Sequence, residues 1–96
     1  MIRKHIIVHG RVQHVGFRFT MMGIASKCHV TGWAKNLYNG DVEMEIQGAE
    51  HRVELFLQMM QEENPGGNKW IRISHADITD IPTVNVLKET GFNARY

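Results

Sequence analysis

One cysteine, two prolines and no long apolar run characterise this chain of 96 residues. With Cys28 alone, no internal disulfide can form, so the fold must rest on its hydrophobic core. No apolar stretch approaches the roughly 20 residues that span a bilayer, which excludes a transmembrane helix and gives no expectation of a membrane partner. Neither sign of charge dominates: 11 lysines and arginines stand against 10 acidic residues, a formal net charge of +1. There is no basic run, so the electrostatic footprint of a duplex nucleic-acid binder is missing and any bound anion is expected to be small. Internal repeats and low-complexity segments are absent. Met1 to His5 leads directly into a strand-like run without signal-peptide character, from which a soluble, cytoplasmic protein is expected. The length suits one domain over residues 1–96, and the lack of an obvious second apolar face favours a monomer.

What is present reads as alternating strands and helices. His5 to Val8 is β-branched and strand-like, ending at Gly10 to Val12. From Phe17, apolar residues fall at 17, 21, 24, 25 and 28, one face of a helix, with Lys27 and His29 at the end where cations suit the dipole. Residues 30–37 and 41–47 read as a hairpin around Asn39-Gly40, a pair that supplies the positive φ angles of a tight turn. In its second strand Val42, Met44 and Ile46 face one way, while Glu43, Glu45 and Gln47 face the other, towards water. A second helix over about 50–63 carries Val53, Phe56, Leu57 and Met60 on one face and is stopped by Pro65-Gly66-Gly67. A fourth strand at about 69–79, an irregular segment 80–91 and an alternating edge strand Phe92 to Tyr96 complete the chain. The order predicts an α+β fold, a ferredoxin-like two-layer sandwich of β-α-β-β-α-β with a short C-terminal edge strand. In it the first two strands run parallel, so the loop 12–18 and Asn36 meet at one edge of the sheet.

Arg18 stands where local physics disfavours a cation. The first helical turn presents unpaired N–H groups and the positive end of the macrodipole, unless an anion is shared there. Consecutive N–H groups in such a turn receive phosphate oxygens, and a guanidinium adds a planar fork on the same anion. The expectation is a phosphate site built from backbone and Arg18. Taken alone, Arg18 is an ordinary surface arginine and Asn36 an ordinary turn residue.

The run Val8-His9-Gly10-Arg11-Val12-Gln13-His14-Val15-Gly16-Phe17-Arg18 and the run Gly32-Trp33-Ala34-Lys35-Asn36, followed by Gly40, Val42 and Gly48, resemble the two signatures of the acylphosphatase family. The resemblance covers essentially the whole chain, including its close at Phe92-Asn93-Ala94-Arg95-Tyr96. It implies a hydrolase of acyl phosphates in which Arg18 binds the phosphate and Asn36 orients the attacking water. The backbone N–H groups of Gln13, His14, Val15, Gly16, Phe17 and Arg18 would cradle the phosphate oxygens. It implies no metal and no cofactor. His14 stands where glycine is more usual, so a positive φ there would carry mild strain.

These residues suit that chemistry. A carboxylate leaving group needs little acid assistance, so the protein has mainly to position the reactants and neutralise charge on the phosphoryl oxygens. An amide orients water but cannot deprotonate it, so the proton is expected to pass to a phosphate oxygen or to solvent. Competing readings are weaker. Gly10 and Gly16 lack the lysine of a nucleotide-binding Walker loop. His5 and His9 lie roughly 13 Å apart on their strand, too far for one metal ion. Cys28 continues the apolar helical face as a core thiol, and Trp33 and Trp70 read as packing anchors, Trp33 near enough to Asn36 to shape the site. RNA-recognition domains share the topology, but Glu43 and Glu45 on the exposed sheet face would repel phosphates. A phosphate-binding accessory module is the third reading, and the small size favours a free-standing enzyme.

Overall fold

In the computed structural model, which describes residues 1–96, strand β1 (Ile2–Arg11), helix α1 (Phe17–Cys28), strands β2 (Thr31–Asn36) and β3 (Val42–Gly48), helix α2 (Glu50–Met60) and strands β4 (Arg72–Ile81) and β5 (Phe92–Arg95) follow in order. Single 3-10 turns occupy Pro65–Gly67 and Val86–Lys88. The strands form one mixed sheet in the order β4-β1-β3-β2-β5. β1 and β2 are each antiparallel to β3, which lies between them, so they run parallel to one another and end on the same side. β5 adds to the outside of β2 in parallel. This is the split βαβ arrangement expected of a ferredoxin-like sandwich. Neither helix is long and apolar enough to cross a membrane.

Each helix buries the stripe its sequence predicts, except that Leu57 of α2 is only partly buried against the core. α1 presents Phe17, Met21, Ile24, Ala25 and Cys28, and α2 presents Val53, Phe56 and Met60, to a single apolar cluster shared with Ile6, Val8, Val42, Met44 and Ile46 of the sheet. α2 ends at Met60, three residues before the expected limit. Its last turn carries no base, and continuing it would bring Glu62 and Glu63 onto the negative end of the dipole. Pro65 further disfavours helical geometry at Asn64. At Gly10 a Cβ would lie 2.1 Å from the Arg72 carbonyl oxygen, so only glycine permits the close approach of β1 and β4 at their bulge.

Three further details differ from the sequence expectation. In the hairpin turn only Gly40 takes a positive φ, of 96°. The turn is a three-residue one, closed by Leu37 N–H donating to Asp41 O at 2.9 Å and Gly40 N–H donating to Leu37 O at 3.2 Å. Asn39 instead uses its side chain, whose Oδ1 accepts the Asp41 N–H. Gln47, expected to face water, is buried. The chain after β4 crosses that end of the sheet: Val84 N–H donates to Gln47 Oε1 at 2.8 Å, and Gln47 Nε2 donates to Val84 O at 3.0 Å. Beside it, Arg3 is only 3% exposed and donates to Glu45 at 2.8 Å, to Gln47 at 3.3 Å and, through two nitrogens, to Glu89 at 2.8 and 2.9 Å. That end of the outer face is therefore covered. Trp70, finally, is 60% exposed beside Lys69 rather than a packing anchor.

Candidate functional site

The loop between β1 and α1 is held from two sides. On one, Gln13 Nε2 donates to Leu37 O at 2.7 Å and to Asp41 O at 2.8 Å, fastening the loop to the base of the hairpin that carries Asn36. On the other, Asn68 Nδ2 donates to Val15 O at 2.8 Å and to Thr20 Oγ1 at 3.1 Å. Within the loop, His14 (φ 62°) and Gly16 (φ 74°) adopt left-handed backbone. The strain expected at His14 is thus present, since an L side chain there crowds its own carbonyl. Successive turns of this kind aim N–H groups into one concavity. None of the N–H groups from Gln13 to Arg18 donates to a backbone acceptor, and Gly16 caps α1 without a side-chain hydrogen bond.

The loop lies beside an open hollow of about 340 Å³. His14, Gly16, Phe17 and Arg18 line it from the loop and α1, Asn36 from β2, and Ala94 and Tyr96 from the C-terminal strand. Asn36 reaches it because it shares a strand face with Gly32 and Ala34, opposite the buried partners Ile46 and Val42 of β3. Trp33, one of the intervening residues, points to the other face, where the Arg95 guanidinium covers it at 4.4 Å. It does not line the hollow, contrary to expectation, because a strand sends alternate side chains to opposite faces. Gln13 and Val15 also stand outside the lining: Gln13 spends its amide on the hairpin, and Val15 packs half-buried against the core.

Arg18 has no carboxylate partner, and the first turn of α1 holds no acidic residue. Its Nη1 donates to Arg95 O at 2.8 Å, and its guanidinium lies 4.7 Å from the centre of the Tyr96 ring. Both contacts orient the charge without neutralising it. The sequence pointed to Arg18 and Asn36. It did not point to Asn68, whose role depends on a fold-back across many residues, nor to Phe19 and Met22, which also line the hollow. Their signal was available: both are apolar at helix positions outside the buried stripe.

His5, His9 and the cysteine lie outside the hollow. His5 Nε2 meets Glu43 at 2.7 Å. His9 meets Asp41 through Nδ1 and Asp77 through Nε2, each at 2.9 Å. The hydrogen bond to Asp77, aided by Asp41 against some desolvation, raises the His9 pKa; the same bond, with one from His75, lowers that of Asp77. Cys28 is buried, and burial pushes its thiol up, away from nucleophilic thiolate. No three histidine, cysteine or carboxylate side chains gather in a metal-holding arrangement.

Comparison with known proteins identifies the family and the fold. The acylphosphatase family model matches residues 4–94. An acylphosphatase of Clostridium beijerinckii is 41% identical over 96 residues, covering all of both chains. The crystal structure of acylphosphatase from Bacillus subtilis superposes with a TM-score of 0.87 at 29% identity, again over the whole of both chains. The structure of HypF from T. kodakarensis matches all of this chain with a TM-score of 0.82 at 29% identity, over 12% of its own length. The chain belongs to the acylphosphatase family, enzymes that hydrolyse small acyl phosphates.

Proposed function

We propose that the hollow holds the phosphoryl group of an acyl phosphate between Arg18 and the N–H groups of Gln13, His14, Val15, Gly16, Phe17 and Arg18, while Asn36 orients the attacking water. The observation that carries this reading is that His14, Gly16, Phe17 and Arg18, from a loop whose N–H groups have no backbone acceptor, line one concavity with an arginine that has no carboxylate and a free amide side chain. Phosphoryl transfer spreads negative charge over the equatorial oxygens, where fixed N–H dipoles and a permanent cation stabilise it without reorganising. The Arg18 contacts to the Arg95 carbonyl and the Tyr96 ring fix the rotamer of that cation in advance. Water bound by Asn36 attacks phosphorus in line, the carboxylate departs, and the water proton passes to a phosphate oxygen or to solvent.

Hydrolysis of acetyl phosphate and benzoyl phosphate, with chelator present, tests the reading in the parent chain and in Arg18→Ala and Asn36→Ala, each checked for folding by circular dichroism. Turnover by the parent and its loss in both variants is expected. Undiminished turnover by folded Arg18→Ala would show that the phosphoryl group binds elsewhere.

A further inference from the structure

Two apolar side chains of α1 have no core to fill. Phe19 is 80% exposed and Met22 is 37% exposed, because the buried stripe of the helix runs through Phe17, Met21 and Ile24 instead. Both nevertheless line the hollow that holds Arg18 and Asn36. Helical spacing explains how: Met22 stands one turn beyond Arg18 on the same stripe, and Phe19 lies three residues before Met22. The apolar surface therefore begins where the guanidinium ends. Isolated exposed apolar residues are ordinary, but these two are neighbours at the mouth of one site.

Charge at the mouth sharpens the point. Apart from the Tyr96 phenol, the ionisable side chains lining the hollow are Arg18 and His14. With Arg18 on the phosphoryl group, no lysine or second arginine lines the hollow to receive a carboxylate or phosphate elsewhere on the substrate. Geometry of the reaction supplies the direction. As the water oxygen bonds to phosphorus, the bond from phosphorus to the acyl oxygen breaks and the carboxylate leaves with its electron pair on the far side. With the water at Asn36 on β2, the acyl group points away from β2, towards the exposed flank of α1.

We propose that Phe19 and Met22 form an apolar shelf for the acyl group, selecting acyl phosphates whose acyl part is aromatic or branched aliphatic over acetyl or charged ones. The proposal rests on the phosphoryl and water sites of the preceding section. Contact between a substrate ring and such a shelf removes apolar surface of both from water, and each methylene-sized contact changes selectivity by about fourfold.

The test compares kcat/KM for benzoyl phosphate and for acetyl phosphate in the parent chain, Phe19→Ser, Met22→Ser and Phe19→Leu. Because intrinsic reactivity cancels between variants, the readout is the ratio of the two constants. That ratio should fall about tenfold in Phe19→Ser and severalfold in Met22→Ser, mainly through KM for benzoyl phosphate, and largely recover in Phe19→Leu. Phe19 is so exposed that its replacement leaves the core intact. A ratio within twofold of the parent value in both serine variants overturns the shelf while leaving the phosphoryl site standing. Absence of turnover of either substrate by the folded parent overturns that site and the shelf with it.

Discussion

Two arginines divide the labour of this molecule between the faces of its sheet. Arg3, on the outer face, is buried and donates to Glu45, Gln47 and Glu89, so its charge is cancelled within the protein. The bonds to Glu89, foremost, and to Glu45 raise its pKa further despite the desolvation. Arg18, at the mouth of the hollow, is half-exposed and meets only a carbonyl oxygen and an aromatic ring. The same side chain thus serves as a rivet in one place and as an unspent charge in the other. Neutralisation by protein carboxylates is what separates the two, since a paired guanidinium has nothing left to offer a ligand.

That contrast can be broken experimentally in order of effect. Arg3→Ala strands Glu45 and Glu89 without their cation in a poorly hydrated place, so unfolding in urea should show a loss of about 3 to 5 kcal/mol. Activity per folded molecule should stay at the parent level. Arg18→Ala inverts this pattern: kcat/KM for an acyl phosphate should fall on the order of a hundredfold to a thousandfold, about 3 to 4 kcal/mol, with stability changed by less than about 0.5 kcal/mol. A variant in which both constants moved together, at either position, would blur the distinction.

Acidity gives the next largest effect. Burial alone would raise the Glu89 pKa, but hydrogen bonds from Arg3 and Thr31 outweigh it and hold the carboxyl below its ordinary value. The unfolded chain therefore binds the proton more readily, and the stabilisation is present above the ordinary glutamate range and lost as pH falls through it. Glu89→Gln should flatten the decline of thermal stability between about pH 5 and 3 relative to the parent. The smallest effect concerns the loop itself. His14→Gly relieves a left-handed residue, about 1 to 2 kcal/mol, and adds chain entropy to the unfolded state, about 0.5 to 1 kcal/mol. A net gain of about 0.5 kcal/mol in urea unfolding is expected, which a loss of stability would contradict.

Local chemistry was legible in the sequence, and distant contacts were not. The stripe of α1, the alternation of Val42, Met44 and Ile46 and the meeting of the loop with Asn36 all follow from spacing and from the handedness of one crossover. The segment after β4 has no such signature. Its purpose is carried by Glu89 on Arg3, 86 positions away in the chain, and by Val84 on Gln47. For the same reason Gln47 read as a solvent residue: alternation assigns it to the outer face correctly but cannot reveal that the segment after β4 covers it. In the site, Arg18 and Asn36 were accessible through motif spacing, whereas the bond from Gln13 to the hairpin depends on the register of two strands and a three-residue turn that the Asn-Gly pair alone did not specify.

The Gln13 amide bears on how the chain could be altered. By gripping Leu37 O and Asp41 O, it clasps the base of the hairpin turn and leaves Tyr38, Asn39 and Gly40 outside the clasp, with Tyr38 fully in solvent. Lengthening a loop costs little, about 0.6 kcal/mol per doubling, when its ends stay fixed. The tip is therefore a tolerant attachment point: a short tag or reporter inserted after Tyr38 would hang beyond the clasp, a few residues from Asn36 in sequence yet mechanically isolated from it.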